Sequence, residues 1–230
     1  MSNHATFVAA PHAAHLTPLL QVFARAPVAG ECKTRLIPAL GAAGAAELQT
    51  RLIRHTLQTA MDWRAAHVGA RVELWCAPGA DHPGFAECAA EFAVDLRDQS
   101  AGDLGARMWL ALIDALRAGR LPVLIGTDCP WLDARAISGL HLALAHKDCA
   151  FIAADDGGYV AVGLARAVPE LFGGVAWGGA KVMAQTRERA RKAGATLVVN
   201  GSLPDIDVPQ DLSRLRDDPS LAHLWQPTAH

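Results

Sequence analysis

Three acidic stations and one cationic loop are the residues of this chain whose types and spacing suit chemistry. In LIGTDCPWL (124–132) an uncharged apolar run ends on a bare carboxylate, Asp128, and Pro130 then prevents a regular continuation. ADDGGYVAVGL (154–164) sets Asp155 and Asp156 before Gly157 and Gly158, which permit positive φ and close approach of a ligand to backbone. LPDIDVPQDL (203–212) carries Asp205, Asp207 and Asp211. The cations sit in VFARAPVAGECKTRL (22–36), where Arg25, Lys33 and Arg35 gather around Pro27 and Gly30. Such a loop, with exposed amides and three positive charges, suits the phosphates of a nucleotide. Magnesium or manganese typically takes one or two carboxylates and fills its shell with water and phosphate oxygens, and Asp128 with Asp207 would supply them. Each segment also has a plainer reading. The loop reads as a solvated basic surface, DDGG as a hairpin turn, and Asp207 as the cap of a last helix with Pro209 in its first turn.

These residues need elements to position them. Apolar, β-branched runs at Leu19–Ala24, Arg71–Ala77, Phe92–Leu96, Pro122–Ile125, Ala150–Ala153, Tyr159–Leu164 and Leu197–Val199 read as strands. Ala45–Trp63, Leu104–Ala118, a segment from an Asp133 cap to about His146, and Lys181–Ala193 read as helices. Strands alternating with helices imply an α/β protein, a three-layer αβα sandwich around a mostly parallel sheet. Ligands of such sheets collect beyond the carboxyl ends of the strands. Asp128 is expected there, ending a strand buried on both faces. There is no Walker-type GxxxxGK[ST], and GAAGAAEL (41–48) lacks the GxGxxG spacing of a dinucleotide site.

Composition removes several classes. Hydrophobic residues make up 51% of the 230, so the chain is not disordered, and a net charge of −2 gives no field for nucleic acid. No apolar run approaches the ~20 residues of a membrane span. Residues 1–17, rich in Ala and His, read as a flexible lead-in without signal-peptide character, and 18–230 as a single domain. Five dispersed cysteines with no CxxC pair point to reduced thiols and the cytoplasm. His141 and His146 read as surface residues, Trp109 as core, and Cys129 as a small residue packed beneath Asp128.

In this order, VFARAPVAGECKTRL, QSAGDLGARM (99–108), LIGTDCPWL, DDGGYVAVGL, LFGGVAW (171–177) and PDIDVPQDL resemble the DUF2064 family of GT-A-type, nucleotide-diphospho-sugar transferase-like proteins. The resemblance spans roughly residues 18–216. It implies a GT-A fold and a metal-dependent transferase, a candidate glycosyltransferase, using a nucleotide or nucleotide-sugar donor, Mg2+ or Mn2+, and a small-molecule acceptor. It implies that Arg25, Gly30, Lys33 and Arg35 wrap the phosphates, that Asp128 and Asp207 hold the metal, and that Gln99, Asp103 and Arg107 meet base and ribose; Arg107 reads equally as a surface residue of its helix. Asp156, Gly157 and Gly158 would face the acceptor, with Asp156 as its base or a hydrogen-bond partner, and Trp177, in the Gly-rich loop that follows, is a candidate wall on that side. One departure stands out. GTDCP has a single carboxylate where sugar transferases carry DxD. CKTRL is similar to the Lys-[Ser/Thr]-Arg-Leu segment of 2-phospholactate guanylyltransferases. Nucleotidyl transfer with release of pyrophosphate is therefore the rival expectation, and a non-catalytic nucleotide-binding module the third.

Overall fold

The structure is a computed structural model that describes residues 15–225. Residues 1–14, most of the expected lead-in, lie outside the described residues; Thr17 already belongs to the first strand. In chain order the elements are β1 (Thr17–Arg25), α1 (Ile37–Ala65), β2 (Arg71–Ala77), α2 (Pro83–Phe92), β3 (Asp95–Asp98), α3 (Leu104–Arg117), β4 (Arg120–Ile125), α4 (Ala134–Leu144), β5 (Cys149–Ala154), β6 (Tyr159–Leu164), α5 (Val182–Lys192), β7 (Leu197–Leu203) and α6 (Asp211–Asp217). The strands form one sheet in the order β3-β2-β1-β4-β6-β5-β7. Its pairs are parallel except β4·β6 and β5·β6, so β6 alone runs against the rest.

Side chains alternate across the sheet with the period of two that a strand imposes. Leu20, Val22 and Ala24 of β1 pack with Ile53 and Leu57 of α1, Phe85 of α2, and Ile137 and Leu140 of α4. Phe23 and Leu124 point the other way, into a second cluster with Met108 and Leu112 of α3 and Met183 of α5. The sheet is thus the middle of three layers. A third, smaller cluster joins Leu36, Leu48 and Leu52 to Ile206, Leu212, Leu215 and Leu221, folding the end of the chain over the start of α1.

From β1 the chain moves outward to β2 and β3, then returns to place β4 on the other side of β1. The crevice between the carboxyl ends of β1 and β4 is therefore the switch point of the sheet, where α/β folds hold ligands.

The expected strand at Phe92–Leu96 is displaced. Phe92 ends α2, a helix with no conventional N-cap residue. The His82 ring accepts from the Gly84 amide at 3.1 Å in that role, and Pro83 opens the first turn. α1 begins earlier than expected and is broken at Gly41, whose φ is +69. His141 is buried rather than superficial, stacked 4.9 Å from Trp63 beneath the sheet, whereas His146 is exposed.

Candidate functional site

A cavity of about 730 Å³ opens at the carboxyl ends of β1 and β4. Four cations (Arg25, Lys33, Arg35, Arg107) and five carboxylates (Glu31, Asp128, Asp156, Asp205, Asp207) line it. Its remaining wall is largely apolar, with Leu104, Met108, Tyr159, Trp177 and Val182.

Two buried hydrophobic pins bring the loop after β1 to the late acidic segment. Leu36 and Ile206, both 0% exposed, meet in the third cluster. Anchoring Leu36 fixes Lys33 and Arg35 just before it, and anchoring Ile206 holds Asp205 and Asp207 on either side. The Ile206 amide donates to the Asp128 carbonyl at 2.8 Å, which joins the late segment to the end of β4. Lys33 completes the junction. Its ammonium donates to the Ile206 carbonyl and lies 2.8 Å from Asp128 Oδ1. Arg35 pairs with Asp207. Gln49 of α1 steadies the base of the site, donating to the Arg25 carbonyl at 3.2 Å and to Thr127 Oγ1 at 3.4 Å.

Asp205, absent from the expected site residues, belongs to this group. Burial raises its pKa to about 6, helped by the negative charge of Asp156, Asp128, Asp207 and Asp211. The signal for it lay in the DxD spacing of Asp205 and Asp207, which one cap could not explain.

On the opposite side, the Gln99 amide donates to the carbonyls of Ala24 (3.3 Å) and Trp75 (2.9 Å), and its oxygen accepts from Arg107 at 3.1 Å. Gln99 therefore ties Arg107 to the strand ends. Trp177 packs edge-on to Tyr159, with ring centroids 6.1 Å apart. It sits in a notch of α3 that only glycine allows: a Cβ on Gly105 would lie 2.5 Å from the indole. At the β5–β6 turn, Asp156 Oδ1 accepts from the Gly158 amide at 2.8 Å.

Three expected contacts lie outside the cavity wall. Asp103 caps α3, accepting from the Ala106 amide at 2.8 Å. Gly30 has φ +87 and open space around it, so it serves the loop's path. Gly157 has φ +94, and a Cβ there would sit 2.1 Å from the Ala180 carbonyl oxygen, so it lets the turn pack against the start of α5. Asp207 does not cap α6. The carboxylate of Asp211 does related work, accepting from the amides of Asp207 (3.0 Å) and Val208 (2.8 Å), which leaves Asp207 to face the cavity. Cys129 is buried as expected, its thiol pushed up to about 12 by that burial.

Among the described residues no group of three His, Cys, Asp or Glu side chains is arranged to enclose a metal ion. What the cavity offers is a crowd of mutually repelling carboxylates, whose charge adds to burial in raising Asp205, beside cations suited to phosphate. That donor set fits a divalent ion that keeps few protein ligands and shares the rest of its shell with water and a phosphate-bearing ligand.

The model of the family DUF2064, described as an uncharacterized protein conserved in bacteria, matches residues 60–179, more than half of the chain. The chain belongs to DUF2064. The match includes Gln99, Arg107, Asp128, Asp156 and Trp177; the β1 loop and the Asp205–Asp207 segment lie outside it. No curated protein matches this DUF2064 chain. Among solved structures it is similar to a protein of Desulfovibrio desulfuricans G20 described as a candidate nucleotide-diphospho-sugar transferase. The TM-score is 0.73 at 28% identity, over 90% of this chain and 93% of that one. The fold also resembles 4-diphosphocytidyl-2C-methyl-D-erythritol synthase of Anaerococcus prevotii DSM 20548 (TM-score 0.57, 12% identity, 91% and 97% covered). A third likeness is to CMP:2-keto-3-deoxy-manno-octonic acid synthetase complexed with CTP (0.53, 10%, 91% and 100%). The last two establish the shared architecture. No described helix is long and apolar enough to cross a membrane.

Proposed function

We propose that this DUF2064 protein is a metal-dependent glycosyltransferase that binds a nucleotide-sugar at the carboxyl ends of its strands and passes the sugar to a small-molecule acceptor. The observation that carries this reading is the meeting of Arg25, Lys33 and Arg35 with Asp128, Asp205 and Asp207 in one switch-point cavity. The similarity at 28% identity to a candidate nucleotide-diphospho-sugar transferase supports it.

In this reading Arg25, Lys33 and Arg35 neutralise the donor's phosphates, and Gln99 and Arg107 orient base and ribose. Asp128 and Asp207 would hold Mg2+ or Mn2+, which when bound would supply positive charge against the departing nucleoside diphosphate. The sugar–phosphate C–O bond breaks with its electrons going to the phosphate, and the acceptor oxygen forms the new bond to the sugar. Asp156 takes the acceptor's proton. One of its oxygens is held by the Gly158 amide, and the other makes no hydrogen bond to a described residue. Gly158 and Trp177 shape the acceptor side, while Gly30 and Gly157 set the path of the backbone and the Asp103 carboxylate caps α3. Catalysis would come mostly from positioning and electrostatics.

The single carboxylate of GTDCP favours a second reading, nucleotidyl transfer from a nucleoside triphosphate. A thermal-shift panel of nucleoside triphosphates, diphosphates and nucleotide-sugars, with and without Mg2+ or Mn2+, separates the two. The expected result is a metal-dependent shift with one nucleotide-sugar, followed by release of its nucleoside diphosphate on addition of acceptors. Preference for a triphosphate, with pyrophosphate released, would replace the first reading by the second. No shift with any ligand would overturn both and leave the non-catalytic module with a ligand outside the panel.

A further inference from the structure

Both carboxylates assigned to the metal already carry a cation from the chain itself, and both cations come from one loop, two residues apart. Lys33 lies 2.8 Å from Asp128, and Arg35 pairs with Asp207. The Lys33 side chain is 4% exposed, whereas Asp128 is 49% exposed. Lys33 also holds a left-handed backbone, φ +46 and ψ +39. That conformation is unfavourable for a non-glycine residue and persists only where surroundings enforce it. Here the surroundings are buried Cys32 and Leu36 on either side and the two acceptors of the ammonium.

We infer that Lys33 is the resident cation of Asp128, and that the cavity takes its divalent ion as a complex with a nucleoside polyphosphate rather than as the bare ion. This rests on the proposed donor site. A bare dication approaching Asp128 meets an ammonium already on that carboxylate, with a guanidinium on the next one. It must displace or repel a cation that has almost no access to water. Asp205 and Asp156 lie nearby, but among the described residues no third carboxylate joins Asp128 and Asp207 in a group that encloses an ion, so the bare ion gains too few ligands to offset that repulsion. A polyphosphate reverses the balance. Its oxygens give Lys33 and Arg35 new anionic partners as the carboxylates turn to the ion, and they complete the ion's shell. Metal and nucleotide therefore bind with positive coupling, each tightening the other by the same factor.

The test is titration of the purified full chain with Mn2+, read by the loss of free-ion EPR signal. It is run with and without UDP, GDP, CDP or ADP, each against a protein-free control that subtracts the Mn2+ the diphosphate itself takes up, for wild type, Lys33→Met and Lys33→Met/Asp128→Asn. Wild type is expected to bind bare Mn2+ weakly, and at least tenfold more tightly with the preferred diphosphate. Lys33→Met is expected to bind bare Mn2+ at least tenfold more tightly than wild type and to lose most of the coupling. Adding Asp128→Asn should abolish that gain. Equal bare-ion affinity in wild type and Lys33→Met, or a gain that survives Asp128→Asn, overturns the inference. Should Lys33→Met not fold, Lys33→Gln takes its place, and absence of coupling in wild type overturns the inference alone. Failure of every diphosphate to bind wild type, with or without metal, overturns the donor-site reading instead; the bare-ion comparison still tests Lys33.

Discussion

The Ile206 amide donates to the Asp128 carbonyl at 2.8 Å, while the Ile206 carbonyl accepts from Lys33. One residue of the late segment thus binds both the end of β4 and the loop after β1, and Lys33 closes the circuit on the Asp128 carboxylate. The three parts of the site are one mechanical unit.

The unequal exposure of the Lys33–Asp128 pair gives its two halves unequal weight. Asp128→Asn leaves a nearly buried ammonium with only neutral acceptors, which is expected to cost about 1–3 kcal/mol. Lys33→Met leaves a carboxylate that water already reaches, and it keeps an apolar stem in the same space. Its expected cost is under about 1 kcal/mol. Urea denaturation of the two variants checks the order; the reverse order would contradict the burial assigned to Lys33.

Gly105→Ala sets helix propensity against packing. Within α3 alanine is favoured by about 1 kcal/mol. The added methyl, however, would lie 2.5 Å from the Trp177 ring and 2.6 Å from the Phe172 carbonyl oxygen. Overpacking of that kind costs about 1–3 kcal/mol. The clash is expected to win. The melting temperature should fall, and tryptophan fluorescence should change as the indole leaves its notch. An unchanged spectrum with a raised melting temperature would show that Trp177 is free to move at no cost.

Much of this architecture is legible in the sequence, because local rules and tertiary demands agree there. Uncharged LPVLI becomes a strand buried on both faces, Asp133 caps its helix, and Asp128 follows its strand at the switch point. What is not legible depends on distant partners. No local pattern tells that Lys33 and Ile206 meet, since the third hydrophobic cluster that joins them draws on Leu36, Leu52 and Leu215 from both ends of the chain. The same folding back raises Asp205, whose neighbours come from three segments. α2 escapes notice because a histidine ring does the work of a Ser, Asp or Asn cap. His141 is misread because its polarity suggests solvent, while Trp63 and the sheet cover it.

His141 makes stability depend on pH. Burial holds its pKa at about 4, below the usual 6.5, with backbone hydrogen bonding from its Nδ1 to Ile137 in part opposing the shift. Between about pH 6.5 and 4 the unfolded chain therefore binds a proton that the folded chain refuses, so stability falls as pH falls through that window and levels off below it. The shift corresponds to roughly 3 kcal/mol at most. His141→Phe keeps a ring against Trp63 and removes the proton. The difference in stability between variant and wild type, followed by urea denaturation from pH 7.5 to 4, is expected to move in the variant's favour as pH falls. A difference independent of pH would mean that the folded imidazole titrates normally.

Ile206→Ala tests whether the site and the third cluster are one unit. Ile206 is 0% exposed, so truncation removes buried methyl groups and leaves a cavity, an expected loss of about 2–5 kcal/mol. A purely structural role would end there, and a folded fraction of the variant would bind ligand as wild type does. The backbone of Ile206, however, carries the hydrogen bonds that set Asp205 and Asp207 against Asp128 and Lys33. A looser pin lets that segment drift, so nucleotide binding in the presence of metal should weaken at least tenfold at temperatures where the variant is fully folded. Leu215→Ala provides the comparison. It lies in the same cluster, fully buried, and makes no cavity contact. It should lose similar stability and retain near wild-type affinity. Equal losses of affinity in the two variants would show that general loosening, not the position of Ile206, governs the site.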